Sequence, residues 1–154
     1  MTEIPLEKIT VKVLGKDLIL DPLNMKFDEM TLSEYMTNEF SYFDFYGKQL
    51  EYATKELALA ELKYETAFNE KYIEAKDLGG SDNYAKAKAQ CNLEVIEAHK
   101  EMIEQRTTVG FIKSYLKAWD KNHANAQSRA NTLRKELEKL NNDIYKSNYN
   151  DAIG

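Results

Sequence analysis

Lys113, Lys117 and Lys121 stand at i, i+4 and i+8, so on a helix their ammonium groups form a single stripe. Such a row suits phosphate chemistry, because each lysine is a mobile point charge that can meet a successive phosphate and release its counterions. Asn125, Ser128 and Arg129 follow near the same face, and Tyr115 lies beside the row, where a flat ring can stack on an unpaired base. The plainer alternative is a solvated outer face whose lysines pair with Glu61, Glu65 or the glutamates of a neighbouring subunit. The overall charge of −5 argues for that alternative, since dedicated nucleic-acid domains usually carry a net positive charge.

Other chemistry is hard to find. There is no phosphate-binding glycine loop, no nucleophile elbow and no metal-spaced ligand set, Cys91, His99 and His123 being the only cysteine and histidines. His99 and His123 read as packed or interfacial imidazoles, and Cys91 as a small core residue on the inward side of the second helix. A lone cysteine forms no intrachain disulfide. Glu51, Glu56, Glu61, Glu65 and Glu70 recur without convergent pairing and read as a wet face. The expectation is a non-enzymatic protein with no cofactor and no metal.

The 154 residues suit one domain, and 6 Gly with only 2 Pro favour long helices over a turn-rich β fold. No apolar run approaches the roughly 18 residues of a membrane span, and "MTEIPLEK" lacks the basic and apolar regions of a secretory signal. These features lead to the expectation of a cytoplasmic protein with no membrane partner. Charge is polarised: residues 1–99 carry 11 basic and 19 acidic side chains, residues 100–146 carry 10 and 6. Such a chain suits a charged partner, or a like neighbour packed basic end to acidic side.

The elements that must hold the row follow from periodicity. Ile9, Val11 and Val13 alternate with polar residues and are separated from "DLIL" by Gly15-Lys16, which predicts a short β-hairpin with Gly15 at positive φ. Residues 1–30 thus form an N-terminal hairpin and linker, and two strands alone must dock on something. "TLSE" places Glu34 three residues after Thr31, the capping-box spacing, and predicts a helix over 31–77. Its seam runs Phe43, Tyr46, Leu50, Ala53, Leu57, Ala60, Tyr64, Ala67 in 3,4 steps. Tyr35, Tyr42, Phe45 and Tyr52 form a second stripe shifted by one residue, which implies contact with the N-terminal hairpin or another subunit rather than base stacking.

"DLGGSDN" predicts a turn at 78–81, with Ser81 or Asp82 capping a second helix over 82–146 and a polar tail over 147–154. The second seam reads Ala98, Met102, Gln105, Val109, Ile112, Leu116, Trp119, His123, Ala126, Ala130, Leu133, Leu137, Leu140, Ile144, so Trp119 reads as core. Gly110 is a weak point on it. The expected fold is mainly α: a long antiparallel, coiled-coil-like helical hairpin with a short N-terminal β-hairpin. Counting back from the turn, the second helix overruns the first by about 20 residues, or about 30 Å. Leu133, Leu137, Leu140 and Ile144 then need cover, which predicts a homo-oligomer that associates through them.

"ELKYETAFNEKYIEAKDLGG", followed by a long helix containing "VGFIKSYLKAW" and "NAQSRANTLR", resembles the layout of phage recombination mediator proteins of the UvsY type over roughly residues 46–138. The resemblance implies a helical oligomer that binds single-stranded DNA and helps load a RecA-like recombinase onto strands held by single-strand-binding protein. It also implies DNA contacts from basic residues before the helix break, here Lys63 and Lys71. The acidic overall charge and the N-terminal β-hairpin depart from that pattern. Two other readings stand beside it: a structural or adaptor coiled coil without nucleic-acid binding, and a phage-encoded regulator whose acidic first helix occupies a basic surface of a host protein.

Overall fold

A computed structural model describes residues 7–153. Two strands, β1 (Ile9–Val13) and β2 (Lys16–Leu20), precede a short 3-10 turn at Pro22–Met25 and three helices, α1 (Leu32–Asp77), α2 (Asp82–Gln90) and α3 (Leu93–Ile153). The strands pair antiparallel, with Val11 opposite Leu18 and Val13 opposite Lys16. Their two-residue loop puts Leu14 at φ 52° and Gly15 at φ 72°, the pair of positive values a twisted ribbon needs. Leucine is less at ease there than glycine, and its amide is held by α1: the Leu14 N–H donates to both carboxylate oxygens of Glu56, at 3.2 Å each.

The ribbon docks on its own chain. Alternation turns Val11, Val13, Leu18 and Leu20 to one side, and they join Leu32, Tyr35, Tyr46, Ala53, Val109, Ile112, Tyr115, Trp119 and Ala126 in one core. Three hydrogen bonds fix the seat: Tyr46 Oη donates to the Ile19 carbonyl (3.2 Å), Tyr115 Oη to the Asp21 carbonyl (2.8 Å), and Asn122 Nδ2 to the Met25 carbonyl. The β-hairpin therefore covers the middle of α3, and leaves Leu137, Leu140 and Ile144 uncovered.

α1 and α3 run antiparallel, as shown by Tyr46 against Tyr115, Glu61 against Arg106, and Tyr64 stacked on His99 with ring centroids 4.8 Å apart. Small residues bring the helices together: Ala53 and Ala126 are wholly buried, and Ala60 nearly so. α1 ends in a Schellman arrangement, in which Gly79, at φ 88°, donates to Lys76 O and Gly80 to Ala75 O. Ser81 Oγ then accepts from Tyr84 N and starts α2.

Several boundaries differ from those expected. The second helix is two helices, because Cys91 N and Asn92 N close the end of α2 while Asn92 Oδ1 accepts from Glu94 N (2.9 Å) and caps α3. Cys91 sits in that break and is exposed, not core. α3 passes through Gly110 without interruption, and the segment read as a polar tail continues the helix to Ile153. Thr31 makes no side-chain cap on α1. Asp28 does the work one turn earlier: its Oδ1 accepts from Met30 N and Thr31 N, and Thr31 Oγ1 accepts from Asp28 N.

The hydrogen bond from the Thr31 backbone, with its hydroxyl next, holds the Asp28 carboxyl below its ordinary value of 3.8. A depressed folded value means that this contribution is complete above the ordinary value and is lost as pH falls through the folded one. Acid denaturation of Asp28→Asn should therefore show a shallower loss of stability below pH 3.8 than wild type. Superimposable pH profiles would remove Asp28 from the cap.

Candidate functional site

Lys113, Lys117 and Lys121 are exposed on the outer face of α3, opposite the residues it buries, Val109, Ile112, Trp119 and Ala126. No carboxylate lies within 4.0 Å of any of the three among the described residues. That separates this segment from the rest of the chain. Of the thirteen Lys and Arg at residues 7–112, seven are ion-paired: Lys8, Lys48, Lys63, Lys71, Lys76, Lys100 and Arg106. Of the eight between Lys113 and Lys146, only Arg129 is paired among the described residues, through Glu29. Glu61, a possible partner for the row, pairs with Arg106 instead.

The remaining candidate residues are not brought together with the row. Tyr115 is 6% exposed, its hydroxyl is bound to Asp21, and its ring meets Tyr46 edge-on at 4.8 Å. It is a core residue that anchors the ribbon, and no base can stack on it. One residue of helical phase decides this: Tyr115 sits three beyond Ile112, on the side the ribbon covers. Lys63 is 2.6 Å from Glu101 and Lys71 is 3.2 Å from Glu74, both far along α1 from the row. Arg129 lies on a different side of α3 from the lysines and ties it to the linker before α1.

Beside the row, the ribbon, the linker and α3 enclose a groove of about 760 Å³. Lys26 and Lys121 line it together with Phe27, Phe111, Asn122 and Asn125. The opposite flank of α3 carries a smaller pocket of about 250 Å³, lined by Glu39, Phe40, Phe43, Trp119, Asp120 and His123. Glu39 is only 9% exposed, and its Oε1 lies 2.5 Å from His123 Nδ1. Its Oε2 and the Trp119 indole nitrogen are buried without a hydrogen-bond partner among the described residues. Neither the groove nor Glu39 was apparent as a sequence feature. The spacing Leu32, Tyr35, Glu39, Tyr46 would have found Glu39, had a charged residue been admitted to the seam.

The phenols around the core are held neutral. Burial, with Tyr115 beside it, pushes Tyr46 well above the ordinary tyrosine range, and burial raises Tyr35 despite its hydrogen bond from Asn122. Both serve as structural donors or acceptors rather than as acids.

Of the residues expected to associate, Leu133 is half-buried against its own core, whereas Leu137, Leu140 and Ile144 are 63%, 61% and 49% exposed. From Arg134 onward every described side chain is exposed. No group of three or more His, Cys, Asp or Glu among the described residues could hold a metal ion, and no described helix is long and apolar enough to cross a membrane. No protein-family model matches the chain, and no curated protein or solved structure does either.

Proposed function

We propose that the protein is a self-associating, coiled-coil-like helical scaffold that binds single-stranded DNA along the outer face of α3. The observation that carries this reading is the row Lys113, Lys117 and Lys121, exposed and, among the described residues, without ion-pair partners, where eight of the eighteen other Lys and Arg are paired. A strand laid on the row would set its phosphates on the lysines and turn bases toward the groove, where Phe27 and Phe111 supply apolar wall in place of the buried Tyr115. Self-association through Leu137, Leu140 and Ile144 would let several weak rows act on one strand. Presentation of that strand to a RecA-like recombinase, in competition with single-strand-binding protein, rests on the UvsY-type layout of residues 46–138. Lys63 and Lys71 fall outside the proposed path, because both are engaged within α1 and its neighbour.

Anisotropy of a labelled single-stranded oligonucleotide, followed across a salt titration, tests the reading. Three phosphates per copy give a slope of log K on log salt of about −2 for each engaged copy. A Lys113→Ala/Lys117→Ala/Lys121→Ala variant should keep its oligomeric mass and lose at least about tenfold in affinity, with a shallower slope. Unchanged binding would move the site elsewhere, and a wild-type oligomer indifferent to DNA would leave a structural or adaptor coiled coil.

A further inference from the structure

The pocket between Glu39 and His123 has a composition that the DNA reading does not use. Aromatic faces line it (Phe40 78% and Phe43 45% exposed, Trp119 behind them), and two carboxylates, Glu39 and Asp120, share it. One Glu39 oxygen meets His123 while the other is buried and unpartnered, a costly arrangement that a hydrogen-bond donor relieves. Ring faces with carboxylates favour a flat cation, whose N–H groups reach the acid while its plane lies on the rings. Two carboxylates also disfavour a nucleotide there, since its phosphate would come close to like charge.

We infer that this pocket receives the guanidinium of Arg134 from a second copy of the chain, and so forms the seat for the self-association proposed above, on which this inference rests. Arg134 is exposed and has no carboxylate partner among the described residues. It adjoins Leu133 and lies three residues before Leu137, at the flank of the uncovered apolar stripe, whereas Lys135 and Lys139 fall on the outer side. A copy's own Arg134 cannot serve: it stands eleven residues past His123 on one continuous helix, about 16 Å further along the axis. The two surfaces are complementary. One offers exposed Phe40 and Phe43 around carboxylates, the other exposed Leu137 and Leu140 beside a cation. Docking covers both apolar groups and satisfies Glu39 in one step.

Trp119 is the single tryptophan, so its emission reports on this pocket. Light scattering and Trp119 fluorescence of the full chain, followed on dilution, should show a mass decrease that tracks the spectral change. Arg134→Ala should weaken association at least tenfold with unchanged helical circular dichroism, and Arg134→Lys should restore it only in part. Glu39→Gln with Asp120→Asn should produce the same loss, and methylguanidinium chloride at matched ionic strength should compete in wild type. An Arg134→Ala chain that associates like wild type overturns the inference while leaving self-association intact. A monomeric wild type overturns both. A Trp119 response to a deoxynucleoside monophosphate but not to methylguanidinium overturns it in favour of a base pocket.

Discussion

Replacing Trp119 with alanine is expected to lower the unfolding free energy by about 3–5 kcal/mol, the range for removing a large aromatic from a packed core. Trp119 is 2% exposed and packs between α1 and its own helix neighbour Tyr115. Its ring stacks on Tyr35 at 5.9 Å and on Tyr42 at 5.4 Å, both from α1, and meets Tyr115, the ribbon anchor, edge-on at 6.2 Å. Trp119→Phe should cost much less: the indole N–H has no partner among the described residues, so no hydrogen bond to them is lost. Urea unfolding followed by circular dichroism reads both variants. A loss below about 1 kcal/mol in the alanine variant would mean that the aromatic cluster does not couple ribbon to helices.

What could be read from the chain alone follows the strength of each local signal. The seam from Ala98 to Ala126 is legible because mostly apolar residues keep strict 3,4 spacing over many turns, and six of its nine residues are buried, with Gln105, Leu116 and His123 partly so. The ribbon is legible from alternation and Gly15, although the turn also places Leu14 at positive φ, which Glu56 makes tolerable from a distant helix. The Gly79-Gly80 turn fixed the antiparallel pairing, hence the facing of Tyr46 and Tyr115.

The failures share a cause: tertiary contacts reassign residues whose local pattern is ambiguous. At the start of α1 the core takes Tyr35, Glu39 and Tyr46, while Phe43 and Tyr42 are both left largely exposed, although the Tyr42 ring stacks on Trp119. Tyr115 has the same look in sequence whether it faces solvent or ribbon, and only the ribbon's docking decides it. The Cys91-Asn92 break carries no glycine or proline; an asparagine cap alone makes it. Of the lysines, sequence located the row, but whether each has a carboxylate neighbour is a matter of three dimensions: Lys63 has one and Lys117 does not.

Ending the chain after Glu136 is expected to abolish the self-association proposed above while leaving the fold intact. The body of the protein ends at Leu133, the last residue of α3 packed on the core, so the deleted segment contributes no described buried side chain. Thermal unfolding of the truncated chain should therefore match that of full-length protein measured as monomer. Association is another matter. Burying a leucine or isoleucine fully contributes about 1.5–3 kcal/mol, so Leu137, Leu140 and Ile144 from two half-exposed stripes supply on the order of 5–10 kcal/mol. That only matches the roughly 4–15 kcal/mol of rigid-body freedom lost on association. The stripe alone is thus not sufficient, and a surface such as Phe40 and Phe43 must add to it. Light scattering across a concentration series decides the point: a truncated chain of unchanged oligomeric mass would place the interface on the body of the hairpin instead of on the end of α3.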